Sequence, residues 1–212
     1  MKINKIPNQI IKQPLQSLDL SKVDSIALHH MAHPTADVKT VEGWHIAQGW
    51  RAFGYNYWVG FDGTVYEGRG LHLGAGVDNQ NGHIISIGFQ GDYHSKPVNM
   101  PDEQFNAGVD IINYVMEKVP SINKIGGHGD FMATACPGKY FPLEEMKTLK
   151  KREADKMFKD VAQDDYGYKH IKKLLDCQVV NGDENGDFNP DLPLTRRDAA
   201  IMIANALAIC GK

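Results

Sequence analysis

Two periodicities organise the apolar positions of the chain. Asp24-Ser-Ile-Ala-Leu-His-His-Met31 is a short, nearly unbroken apolar run and predicts a buried strand; Ile84 to Phe89, closed by Gly91-Asp92, predicts another. Tyr55-Asn-Tyr-Trp-Val-Gly60 and Val65-Tyr-Glu67 are rich in β-formers, and Asp62-Gly63 between them is a hairpin signal. Thr40 to Phe53 reads as a helix bearing Trp44 and Trp50 and stopped by Gly54. From Pro101 to Val119, Phe105, Val109, Ile112, Met116 and Val119 recur at spacings of four and three, one face of a helix. Pro101 suits its first turn, and Asp102 and Glu103 favour its dipole. Strands mixed with helices predict an α/β fold, a sheet covered by helices.

A composition shift divides the chain. Residues 1–150 hold all three tryptophans and eight of the nine histidines. The run 147–157 is strongly charged, so 151–157 is expected to be a linker or helix tail, with the boundary near 155. Residues 158–212 show two helix-like stretches around an Asn/Gly/Asp-rich turn, a small helical C-terminal domain.

Composition narrows the function. With 42% hydrophobic and 23% charged residues over 212 positions, wholesale disorder is excluded. A formal net charge of −3 offers no basic field for nucleic acid. No run approaches the roughly 18 apolar residues of a membrane span. The first residues lack the apolar core of a secretory signal, so the protein is expected to be made and kept in the cytosol unless something releases it. Three scattered cysteines make no disulfide framework.

The sharpest chemical constellation is His29 at a strand end with His128 and Cys136 in a glycine-rich loop, Gly127-His-Gly-Asp-Phe-Met-Ala-Thr-Ala-Cys-Pro-Gly138. Imidazole nitrogen and thiolate sulfur are zinc donors, and three protein ligands leave a fourth position open. Only one of His29 and His30 can face such a site, because adjacent strand side chains point to opposite faces. On spacing alone, zinc and a metal-free set of a core histidine, a loop histidine and a buried thiol stand level.

Six motifs in order go further. Ile26-Ala-Leu-His-His, Trp44-His-Ile-Ala-Gln-Gly-Trp, Gly54-Tyr-Asn-Tyr, Asp62-Gly-Thr-Val-Tyr-Glu-Gly-Arg-Gly, Ser86-Ile-Gly and Thr134-Ala-Cys-Pro-Gly together resemble the type-2 N-acetylmuramoyl-L-alanine amidases. That class includes phage endolysins and bacterial autolysins and shares its fold with peptidoglycan recognition proteins. The resemblance implies a mixed central β-sheet flanked by helices, a Zn2+ held by His29, His128 and Cys136, and Tyr55 beside the metal, its hydroxyl toward the water or the reacting carbonyl. It puts Thr134 where a lysine or threonine helps hold the oxyanion. The implied activity is hydrolysis of the lactyl–L-alanine amide bond of peptidoglycan, and zinc chemistry supplies the nucleophilic water and Lewis acid that an amide requires.

The chain departs from the family pattern in places. Some branches carry a glutamate base where this strand reads Ile87-Gly-Phe-Gln90, and an amide takes no proton. A usual Gly-Ala-His is Gly74-Ala-Gly76 here, leaving His72 or His83 as candidates for that space, and Leu71 replaces a usual tryptophan. Glu67 and Arg69 read as a structural ion pair. Asp130 reads either as a support for His128 or as a turn stabiliser.

Phe158-Lys-Asp-Val, His170-Ile-Lys-Lys-Leu, Val179-Val-Asn-Gly-Asp-Glu-Asn-Gly-Asp-Phe-Asn-Pro and Leu194-Thr-Arg-Arg-Asp-Ala-Ala resemble one S-layer homology repeat. Such repeats bind secondary polymers of Gram-positive walls, which implies Thr195 and Arg196 as wall-polymer contacts; Thr195 with Asp198 also reads as a helix cap. A lone unit of this size has little core of its own, so self-association, as a homo-oligomer such as a trimer, or docking on the amidase is expected. Asp183-x-Asn185-x-Asp187 is not an EF-hand, because Phe188 and Leu194 stand where the loop needs glycine and glutamate. Taken together, the expectation is a phage or prophage endolysin that acts on the wall after release. A bacterial autolysin and a non-catalytic peptidoglycan-binding module are the alternatives.

Overall fold

A computed structural model describes residues 1–152, 158–162, 164–177 and 179–210. The chain forms two compact units, Met1–Arg152 and the described residues beyond it. Most of the expected 151–157 linker lies outside the described residues.

The first unit runs β1 (Ile3–Lys5), β2 (Ser25–His30), α1 (Val38–Ala47), β3 (Tyr57–Val59), β4 (Val65–Glu67), β5 (Ile84–Phe89), α2 (Asp102–Lys118), β6 (Lys124–Gly127) and α3 (Leu143–Lys147). One six-stranded sheet has the order β1-β4-β3-β5-β2-β6. Every neighbouring pair is parallel except the β3–β4 hairpin. The fold is the expected α/β mixed sheet flanked by helices.

Side-chain alternation gives the two faces different work. Ile26 and Leu28 of β2, Ile85, Ile87 and Phe89 of β5, and Tyr57 and Val59 of β3 enter one core, which α2 closes with Phe105, Val109, Ile112 and Val115. Each of these buried side chains contributes on the order of 1.5–3 kcal/mol. The residues between them, Ala27, His29, Ser86, Gly88 and Trp58, face the other way. There Trp58 packs with Phe53 and with Val38 and Val41 of α1. What remains of that face is the floor of the candidate site.

Local differences from the sequence pattern have physical causes. Helix α1 ends at Ala47 rather than Phe53, because Gly49 turns the chain at φ +85°, and Trp50 follows the helix instead of riding on it. Pro101 is the residue before the first turn of α2 rather than within it. Strands β1 and β6 had no signal in the apolar pattern: β1 is three residues on a sheet edge, and β6 ends in two glycines.

In the second unit, α4 (Tyr168–Asp176) and α5 (Arg196–Cys210) enclose a small core of Phe158, Val161, Val179 and Val180. Phe158 stacks on Phe188 at 4.9 Å, and Asp160 accepts the backbone N–H groups of Phe188 and Asn189 at 2.8 and 2.6 Å. Among the described residues, no helix of either unit is long and apolar enough to cross a membrane.

Candidate metal centre

Topology brings the two histidines together. In the parallel β2–β6 pair, Leu28 lies opposite Gly127, so His29 and His128 are the next residues along two neighbouring strands that end at the same edge. Asp130 accepts the Gly127 N–H at 2.9 Å and closes the tight turn that holds His128. The loop then folds back, with the Gly129 N–H donating to the Cys136 carbonyl at 2.8 Å, and this returns the thiol to the histidines.

One donor atom from each of His29, His128 and Cys136 lies within 4.8 Å of the others. Cys136 Sγ is 3.9 Å from His29 Nδ1, and the two imidazole rings are 4.5 Å apart. Tetrahedral zinc with ordinary Zn–N and Zn–S lengths sets such donors about 3.6 Å apart. Burial holds His29 well below the usual imidazole range, helped by His128 and His30, and burial lowers His128 too. Both are therefore neutral, the form that ligates. Burial also pushes the Cys136 thiol up to about 11, a cost that a divalent cation at this point reverses. Among the described residues, Nε2 of His29 and of His128 is buried without a partner, and on His29 it is Nδ1 that faces Cys136 Sγ. The N, N, S donor set and its spacing fit zinc. Among the described residues, this is the one such cluster.

His30 points away as alternation requires, its Nδ1 accepting the Tyr93 N–H at 3.0 Å. Tyr55 is half-buried with its ring 4.9 Å from that of His29, and burial raises its hydroxyl above the usual phenol range, so it stays a donor. Thr134 is exposed; its Oγ1 accepts the Cys136 N–H at 3.3 Å, which stabilises the loop and leaves its hydroxyl proton to donate.

Other sequence expectations change. Glu67 and Arg69 are not a pair: Glu67 bonds Lys5 of β1 at 2.8 Å. Arg69 is buried and donates to the carbonyls of Phe53 at 2.7 Å, Leu73 at 3.0 Å and Ala52 at 3.4 Å. Neither His72 nor His83 reaches the cluster, since His72 bonds the Arg69 carbonyl at 3.0 Å and His83 bonds Asp24 at 2.9 Å. Of the two readings of Asp130, the turn contact is the one formed. Gln90 is a brace, its Oε1 accepting from the Phe61 N–H at 3.1 Å and its Nε2 donating to the Thr35 carbonyl at 3.3 Å.

Asn56 escaped the sequence reading. Wholly buried next to Tyr55, it donates to the carbonyls of Gly70 and His72 at 2.7 and 2.8 Å and accepts the Ser86 N–H at 2.9 Å. A polar residue inside an aromatic strand run was its only signal. In the second unit, Thr195 caps α5: its Oγ1 accepts the Asp198 N–H at 3.1 Å and donates to the Asp198 carboxylate at 2.5 Å. A groove of about 640 Å³ there is walled by Phe188, Leu192, Leu194, Ile201 and Met202, and neither Thr195 nor Arg196 lines it.

Residues 19–139 match the N-acetylmuramoyl-L-alanine amidase family. The chain belongs to that family. Residues 158–200 match the S-layer homology domain. Among curated relatives, peptidoglycan-recognition protein SC2 of Drosophila simulans is 31% identical over 105 residues, 48% of this chain and 56% of that protein. Peptidoglycan-recognition protein SC1a of Drosophila melanogaster is 32% identical over 113 residues, 51% and 60% of the two chains. The chain thus spans little more than half the length of these relatives. Among solved structures, the endolysin N-acetylmuramoyl-L-alanine amidase LysCS from Clostridium intestinale URNW superposes with a TM-score of 0.63 at 26% identity, covering 69% of this chain and 93% of that one.

Proposed function

We propose that the first unit of this amidase-family chain is a zinc-dependent N-acetylmuramoyl-L-alanine amidase that hydrolyses the lactyl–L-alanine amide bond of peptidoglycan, acting as a phage or prophage endolysin on Gram-positive walls. The convergence of His29, His128 and Cys136 within 4.8 Å carries this reading. Zinc bound there supplies a Lewis acid and a water of lowered pKa.

The chain's own residues do the rest. His29 and His128 are held neutral by burial, and the loop brings Cys136 back to them. Tyr55, kept protonated, offers its hydroxyl to the carbonyl oxygen as negative charge develops, a contribution of roughly 2–4 kcal/mol for one well-aimed donor. Thr134 offers a second hydroxyl from the loop. Gln90 is an amide and takes no proton, so that strand position supplies no base. The second unit, matching a domain of bacterial surface layers, is assigned to a secondary wall polymer and to self-association.

Digestion of purified walls by the wild-type protein and Cys136→Ser, with products identified by mass, tests the assignment. The wild type is expected to release stem peptides beginning with L-alanine, and the variant none. A zinc-loaded wild type that releases no peptide leaves only a peptidoglycan-binding module.

A further inference from the structure

Two buried polar side-chain atoms on the site face have no partner among the described residues and neighbour each other: Nε2 of His29 and Oγ of Ser86. Ser86 is opposite Ala27 in the β2–β5 register, so it lies diagonally across from His29 on the same face. A Cβ built on Gly76 would fall 2.5 Å from Ser86 Oγ and 3.2 Å from His29 Nε2, so both atoms border the same point beneath that glycine. Both atoms lie within 3.2 Å of that one point, so they are no farther apart than a single bridging water spans.

Among the described residues the hydroxyl meets no other hydrogen-bonding group. Ser86 is wholly buried, and its backbone is already engaged: its N–H reaches Asn56 Oδ1, and its carbonyl accepts the Asn56 N–H, both at 2.9 Å. A buried hydroxyl left unmet costs on the order of 1–3 kcal/mol, so alanine fills this space better if packing is the only requirement. His29 has the complementary need. Its Nδ1 faces Cys136 Sγ, so a proton must sit on Nε2 for the Nδ1 lone pair to be free, and that N–H needs an acceptor.

We infer that Ser86 is a positioning residue of the metal site: its hydroxyl accepts the Nε2–H of His29, directly or through one water, and fixes the tautomer and ring orientation in which Nδ1 ligates. The inference rests on the zinc reading above and concerns a residue that touches neither metal nor substrate.

Ser86→Ala tests it through three readouts that do not depend on turnover. These are the thermal midpoint of the metal-free protein, zinc affinity by chelator competition, and the ring N–H resonance of His29 in the zinc-loaded protein. The expected result is a metal-free midpoint equal to or above wild type, zinc affinity weakened about 10- to 100-fold, and loss of the protected Nε2–H signal. Unchanged affinity, whether metal-free stability holds or falls, assigns Ser86 to packing and overturns the inference. A wild-type protein that takes up no zinc overturns the metal reading itself, and this is seen before any variant is compared.

Discussion

Tyr55 lies with its ring against Gly88: a Cβ built on Gly88 would come 2.9 Å from Tyr55 Cδ2 and 3.0 Å from Trp58 Cε3. Gly88 is also the register partner of His29, so the missing side chain lets the candidate donor rest on the sheet beside the candidate ligand. Gly88→Ala must lift the Tyr55 ring or shift Trp58. Overpacking of this kind costs about 1–3 kcal/mol of stability, and a displacement near 1 Å at a reacting group costs on the order of 100-fold in rate. Zinc content should stay at the wild-type level while wall digestion falls, measured by elemental analysis beside product release. Undiminished digestion by a stably folded variant would separate Tyr55's position from catalysis.

Removing only the Tyr55 hydroxyl isolates its chemistry. No intramolecular hydrogen bond holds that hydroxyl among the described contacts, so Tyr55→Phe should change unfolding free energy by less than about 0.5 kcal/mol. Turnover should fall by roughly 100- to 1,000-fold with little change in KM, as for loss of one oxyanion donor. In the metal-free protein, burial and then the neighbouring Cys136 raise the Tyr55 hydroxyl, so it remains protonated through neutral and mildly alkaline pH.

Arg69 ties its own loop to the 52–55 stretch by donating to the Ala52, Phe53 and Leu73 carbonyls, and its own N–H donates to the Tyr55 carbonyl at 3.0 Å. A lysine keeps the charge but has no planar fork to serve carbonyls in separate directions. Arg69→Lys is expected to destabilise the protein by about 2–3 kcal/mol, since buried acceptors lose partners. Urea unfolding reads this directly, and a shift below about 0.5 kcal/mol would refute the bracing role.

Where the sequence was legible, the periodicity was strong. β2 and β5 are continuous apolar runs because both of their faces are covered, and α2 shows its stripe because one face is bare. The convergence of His29, His128 and Cys136 was readable as a motif, but its cause, the Leu28–Gly127 register, needed β6. That strand is short and half glycine, so it left no apolar signature. One omission produced another. Without β1, the pattern held no Lys5 for Glu67, and Arg69 two residues on became its nearest cation. The helix overran Gly49 because Trp50 and Phe53 prolong an apolar rhythm that serves tertiary packing around His45 and Trp58 rather than the helix.

The second unit displays Leu192, Leu194, Ile203 and Leu207, each more than 60% exposed, around a core of four buried side chains among the described residues. An apolar surface on so small a unit favours association with a second copy. Light scattering should give a mass above that of the monomer for the wild type and the monomer mass for Ile203→Lys combined with Leu207→Lys. A monomeric wild type removes self-association.

His45 ties α1 to the approach of Tyr55, its Nδ1 accepting the Gly54 N–H at 3.0 Å while its ring stacks on Trp50 at 4.5 Å and meets Tyr55 edge-on at 5.5 Å. An acceptor Nδ1 must be unprotonated, so a second proton breaks this bond inside an apolar cage. Burial first, and then the Arg69 charge, lower the His45 pKa from 6.5 to about 4. Between these values the unfolded chain binds a proton that the folded chain refuses, so unfolding free energy rises with pH. The His45 contribution is complete above about pH 6.5 and is lost as pH falls toward 4, a total of about 3 kcal/mol at roughly 1.4 kcal/mol per pH unit. His29, His30 and His128 shift in the same direction, so the contribution is isolated by difference. His45→Gln keeps an acceptor for Gly54 and does not titrate. The stability gap between wild type and this variant should therefore change by up to about 3 kcal/mol in the variant's favour from pH 7 to pH 4. A gap that stays constant across that interval would show that His45 is free to protonate in the folded protein.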